Sequence, residues 1–117
     1  MTGASTVRLF AYGTLQQSEV QIANYGRTLA GRPDVLGGYR LEPLTISDPK
    51  IVRVSGKAVH NIARHSGDPA DRIPGVVFQL TEDELAATDR YEVDVYARVE
   101  VMLDSGTQAF VYVGPGL

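Results

Sequence analysis

The sequence predicts an α+β fold: a small, mixed, mainly antiparallel, β-barrel-like sheet with two principal helices packed beside it. Three observations predict it. Short apolar runs with period-two alternation dominate the chain. The elements run strand, helix, several strands, helix, hairpin, without the regular strand–helix alternation of a parallel fold. Two capping-box patterns, at Ser18 and Thr81, mark the helix starts. The 117 residues, 44% hydrophobic and 21% charged, fit one globular domain spanning 1–117.

The first strand is expected at Val7–Tyr12. Val7, Leu9 and Ala11 alternate with Arg8, Phe10 and Tyr12. Both faces carry apolar side chains, so this strand belongs inside the sheet. Ser18-Glu19-Val20-Gln21 reads as a capping box, with Ser18 capping the Gln21 amide and Gln21 reaching back. A helix over Glu19–Leu29 follows, with Gly26 weakening its last turn. Val35–Pro43 reads as a second strand bent at Gly37-Gly38, and Ile51–Val54 as a short third. Residues 55–72 hold Gly56, Gly67 and Pro69 and read as a loop with a short strand around Ala58–Ile62. Ile73–Leu80 is a strong strand. Thr81 and Glu84 form the second capping box, and three acids in the first turn suit the positive end of the helix dipole. This helix should reach Tyr91 or Glu92. Ala97–Leu103 and Thr107–Val113 then form a hairpin around Asp104-Ser105-Gly106.

Composition excludes several functions. The chain has no cysteine, which removes disulfides, zinc–cysteine sites and thiol nucleophiles. Its net charge is −3 and its arginines are dispersed, so no basic stripe invites nucleic acid. No apolar run approaches the ~20 residues of a membrane helix, and the N-terminus lacks a secretory layout. A soluble, cytoplasmic protein is expected. His60 and His65 match no metal spacing, no Gly-x-Ser-x-Gly elbow is present, and no Ser–His pair suggests an acyl-enzyme.

Two short stretches carry candidate chemistry. The first is Tyr12-Gly13-Thr14-Leu15. A strand ending in Gly can turn sharply through positive φ, leaving consecutive amides around a concavity that suits a carboxylate. The same four residues also serve as a plain strand-to-helix turn. The second stretch is Asp89–Arg98. Leu85, Asp89 and Glu92 share one helix stripe, and Leu85 should face the core. Glu92 would then turn inward at the helix's negative end, where burial and dipole both favour its protonated form. That is what a general base working near neutral pH requires. The alternative is a Glu92 paired with Arg90 or Arg98, or exposed at a frayed end. Tyr12, Tyr91, Tyr96 and Tyr112 read as core residues whose hydroxyls could border a polar site.

Together these stretches resemble the gamma-glutamyl cyclotransferase-like family, including its gamma-glutamylamine branch. The features occur in the family's order: Tyr12-Gly13-Thr14-Leu15 after the first strand, then Asp89-Arg90-Tyr91-Glu92 near a helix end. Tyr96-x-Arg98 opens the next strand, and Phe110-Val111-Tyr112-Val113 closes the chain. The resemblance implies a cofactor-free, metal-free reaction on a small gamma-glutamyl substrate. The α-amine attacks the side-chain carbonyl, releasing 5-oxoproline and an amine or amino acid. It implies Glu92 as the general acid/base. It places Tyr12, Gly13, Thr14 and Leu15 in the loop that holds the glutamyl α-carboxylate, with Tyr96 and Tyr112 bordering the substrate. No nucleic acid or membrane partner is expected, and the oligomeric state stays open. Thr88 stands where many members have Leu, Val93 where many have Gly, and the stretch 55–72 is longer than usual. A non-enzymatic small-molecule or protein-binding module on the same fold is the alternative.

Overall fold

A central strand, β1 (Thr6–Ala11), organises the architecture. The computed structural model describes residues 6–45, 59–91 and 97–114. In chain order β1 is followed by a 3-10 turn (Thr14–Gln16), α1 (Ser18–Tyr25), β2 (Gly31–Gly37), β3 (Tyr39–Thr45) and β4 (Val59–His65). Then come β5 (Arg72–Thr81), α2 (Glu82–Tyr91), β6 (Ala97–Met102) and β7 (Gln108–Val113). Five strands form one sheet in the order β2-β5-β1-β7-β6, and β3 pairs with β4 in a second, two-stranded sheet. The fold is α+β and mainly antiparallel. The single parallel contact among the described strands joins β1 to β7, with Leu9 opposite Phe110.

Apolar residues on both sides of β1 explain its central place. Leu9 and Ala11 face α1 and α2, where they pack with Val20, Phe78 and Leu85. Phe10 faces the other way, into a second core with Leu36, Ala63, Ile73 and Val111. Ala63 comes from β4, so the small sheet covers the face that the helices leave bare. The Gly114 amide donates to the Ala63 carbonyl at 2.8 Å, tying that cover to the end of β7. Among the described residues the five-stranded sheet stays open, with β2 and β6 at its edges.

Most expected elements form, with four differences. The stretch expected as one bent strand, Val35–Pro43, is two strands in different sheets, broken at Gly38, whose φ is 79°. β4 is a full strand of seven residues, not a short one in a loop. It pairs along its length with β3, from Tyr39–His65 to Thr45–Val59. The Ser18 capping box does not form: Gln17 is the N-cap, and the Ser18 hydroxyl donates to Glu19 instead. The helix also ends at Tyr25, not Leu29. Gly26 stops it in the left-handed conformation, φ 72°, its amide donating to Ile22 O, as glycine C-caps do. The expected strand at 51–54 lies outside the described residues.

The second capping box forms as read. The Glu84 amide donates to Thr81 Oγ1 at 3.1 Å and the Thr81 amide to Glu84 Oε1 at 2.9 Å. Glu84 also takes both arms of Arg27, each at 2.7 Å. The Arg27 guanidinium holds the Glu84 carboxyl below its ordinary value against the opposing effect of burial. Behind this pair Thr88, fully buried, donates to Glu84 O at 2.8 Å. Its only proton is thereby used, so Tyr25 Oη donates to Thr88 Oγ1, at 2.5 Å. The two helices are thus joined by polar contacts as well as by apolar packing.

Candidate active site

Strand β1 ends at Ala11, and the chain turns at once. Gly13 has φ −131° and ψ −139°, so the corner does not use the positive φ expected from the sequence. Thr14 and Leu15 are buried in the 3-10 turn, while Gly13 is exposed. A Cβ added at Gly13 would meet no atom within 4 Å. Glycine therefore leaves open space at the corner rather than relieving a clash.

The corner carbonyls are all occupied. Gly13 O accepts from the Gln16 amide at 3.1 Å and from Gln16 Nε2 at 3.2 Å. Thr14 O accepts from the Gln17 amide at 2.9 Å. Leu15 O accepts from Gln21 Nε2 at 2.8 Å. In a trans peptide the N–H points opposite to the C=O of the same plane. The amides of Thr14 and Leu15 therefore point the other way, out of the N-terminal end of the turn.

The Tyr12 side chain ties the two sheets together. Its hydroxyl donates to the Tyr112 carbonyl at 2.6 Å and accepts from the Ala63 amide at 2.9 Å. It bridges the two sheets and sets where the corner begins. Tyr112 is buried on the helix side of β7, and its own hydroxyl donates to Asp89 Oδ1 at 2.6 Å. Arg98 Nε lies 3.5 Å from the same carboxylate oxygen, and its guanidinium sits 4.9 Å above the Phe110 ring. Asp89 thus joins α2, β6 and β7.

Glu92 and Tyr96 lie outside the described residues. The chain is described up to residue 91 and again from residue 97. Asp89 fastens the last turn of α2 to Tyr112, near the carboxyl end of β7. Ala97 opens β6 opposite Val113 at that same end. Because β7 runs parallel to β1, this is also the end at which β1 turns into Gly13. Ala97 lies two strand spacings from β1, about 10 Å. The topology brings the corner, Tyr112, Asp89 and the start of β6 to one end of the sheet.

A cleft of about 350 Å³ opens beside α2, lined by Val7, Glu82, Leu85, Asp89, Arg98 and Phe110 among others. It reaches this end of the sheet at Asp89 and Arg98. His65 is exposed and stacks edge-on against Tyr39, 5.2 Å between ring centres. No group of three or more His, Asp or Glu residues that could hold a metal occurs among the described residues. None of the described helices is long and apolar enough to cross a membrane.

Residues 9–116 match the model of the family described as gamma-glutamyl cyclotransferase, AIG2-like. The chain belongs to this family. Solved structures agree in fold with the cyclotransferase-like chain. A protein from Arabidopsis thaliana, solved in solution, aligns with TM-score 0.70 at 24% identity, over 97% of this chain and 66% of its own. A structure described as gamma-glutamyl cyclotransferase aligns with TM-score 0.74 at 17% identity, over 96% and 68%. An uncharacterised protein from Homo sapiens aligns with TM-score 0.73 at 18% identity, over 94% and 67%. The chain spans about two thirds of the length of these structures. No curated protein matches the sequence.

Sequence reasoning missed two residues of this region. Asp89 lies on the Glu92 stripe, but no local signal marks it as the acceptor for Tyr112, 23 positions away. Gln21 has the spacing of a capping box, although its side chain reaches the corner instead.

Proposed function

We propose that this chain is a gamma-glutamyl cyclotransferase-type enzyme. The observation that carries the reading is the corner at Gly13: open at the Cα and placed at the same end of the sheet as the last turn of α2 and the start of β6. In this reading the Thr14 and Leu15 amides hold the glutamyl α-carboxylate. Fixing that group sets the α-amine against its own side-chain carbonyl, an intramolecular advantage.

The chemistry follows from the substrate. The α-amine nitrogen attacks the γ-carbonyl carbon and forms the ring C–N bond, and the bond to the leaving nitrogen breaks. The attacking ammonium loses one proton before it attacks and a second as the ring nitrogen becomes the lactam N–H, while the leaving nitrogen gains two and departs as an ammonium. Glu92 takes each proton from the first nitrogen and delivers it to the second, so no water, oxidant or net proton is consumed. The products are 5-oxoproline and a free amine or amino acid.

The test offers the full-length protein a panel of gamma-glutamyl amino acids and gamma-glutamyl amines and measures 5-oxoproline. Turnover is expected for at least one class. Glu92→Gln keeps the shape but cannot accept the proton, and should lower kcat by about 10²–10⁴-fold. Activity unchanged in that variant rules out the role of Glu92. Binding without turnover in the parent protein would favour the non-enzymatic reading.

A further inference from the structure

Gln21 occupies an unusual position. It lies on α1 with a side chain only 3% exposed, yet it is polar. Both ends of its amide are used across the chain rather than along the helix. Nε2 donates to Leu15 O at 2.8 Å, and Oε1 accepts from the Leu29 amide at 2.8 Å. The side chain therefore clamps the corner turn on one side and the segment leading to β2 on the other. An unpaired carbonyl at buried Leu15 would be costly, and an unpaired amide at half-buried Leu29 less so.

We infer that Gln21 is a positioning residue for the corner at Gly13–Leu15, fixing the orientation in which its amides meet an anionic ligand. The inference rests on the proposed cyclotransferase reading for the identity of the ligand, but the clamp itself does not. Its logic is geometric. Holding Leu15 O fixes the peptide plane that follows Leu15, and with it the turn closed by the Gln16 and Gln17 amides. A carboxylate seat made of backbone has no side chain to adjust, so its affinity depends on that rigidity. Gln21 touches no reacting atom, and so its loss should act on binding and spare the chemical step.

Three measurements on the full chain test this. In Gln21→Met, which keeps length and apolar volume but makes neither bond, KM for a gamma-glutamyl substrate should rise about tenfold, the effect of losing the one buried bond that holds the corner at Leu15 O. The kcat should stay within about twofold. A merely structural role would lower the active fraction and leave KM alone. In Gln21→Glu, an ionised carboxylate cannot donate to Leu15 O, but a protonated one can, while its other oxygen accepts from Leu29. Affinity for 5-oxoproline should therefore equal that of the parent near pH ~5 and fall about tenfold by pH ~8, as the buried carboxyl ionises. Unchanged KM in Gln21→Met, or affinity of Gln21→Glu with no added pH dependence, overturns the inference. If the parent protein neither turns over nor binds these compounds, the cyclotransferase reading fails, and hydrogen exchange decides the clamp. The amides of Gln16, Gln17 and Leu29 should exchange about tenfold faster in Gln21→Met, while the β1–β5 amides hold. Equal exchange at all of these positions refutes it.

Discussion

Two glycines separate packing from access. At Gly75 an added Cβ would lie 2.5 Å from Ala11 O and 2.6 Å from Phe10 Cζ. Backbone and a buried ring cannot yield there, so Gly75→Ala should destabilise the fold by about 1–3 kcal/mol. At Gly13 the same methyl meets nothing, so Gly13→Ala should change stability by less than about 1 kcal/mol. Under the proposed function that methyl stands where a ligand approaches the backbone, and KM should rise. Urea denaturation and steady-state kinetics on the two variants distinguish these effects. A strongly destabilised Gly13→Ala, or one with unchanged KM, would show that the glycine serves only the turn.

At the scale of an element, α2 owes its start to local signals and its docking to a distant one. Thr81 and Glu84 cap each other within three residues. Arg27, beyond the end of α1, then closes on Glu84 and depresses its carboxyl value. A carboxyl depressed in the folded state contributes stability that is complete above its unfolded value, 4.5. That stability is lost as pH falls through the lowered folded value. Asp34 acts in the same direction. Burial opposes its ionisation, but hydrogen bonds from Ser105 Oγ and the amides of Val35 and Ser105 outweigh it. Thermal melts should therefore fall in midpoint as pH drops below about 4.5, and Glu84→Gln should flatten part of that slope. An equally steep slope in Glu84→Gln would show that the Arg27 pair does not contribute.

For the whole molecule, the informative contact is the Tyr12 hydroxyl. It joins the small sheet at Ala63 to the large one at Tyr112, across separations of 51 and 100 residues. Tyr12→Phe leaves the Ala63 amide and the Tyr112 carbonyl each short of a partner in a partly buried place. It should cost about 1–3 kcal/mol in urea denaturation. A smaller cost would mean that water reaches both groups.

The sequence by itself determined what depends on neighbours in the chain. Alternation in Val7–Tyr12 and Ile73–Leu80 marks strands, and the Asp104–Gly106 turn joins a hairpin whose register pairs Val99 with Val111. The Thr81 box marks a helix, because its donors and acceptors lie three residues apart. The family motifs were legible for the same reason: each is a short string.

The tertiary structure decided whatever depends on distant partners. β2 contains Gly31 and Pro33, poor strand formers, yet it pairs with β5 from Gly31–Phe78 to Gly37–Arg72. Pro33 is tolerated there because β2 is an edge, and Gly31 because Phe78 and Val76 occupy the space of its Cβ, at 2.6 Å. The same is true of β4, which becomes a strand only by pairing with β3. Ser18 and Gln21 have the spacing of a capping box, but a buried carbonyl at Leu15 competes for the glutamine and wins. Solvent can satisfy an exposed helix end, whereas a buried carbonyl needs a protein donor.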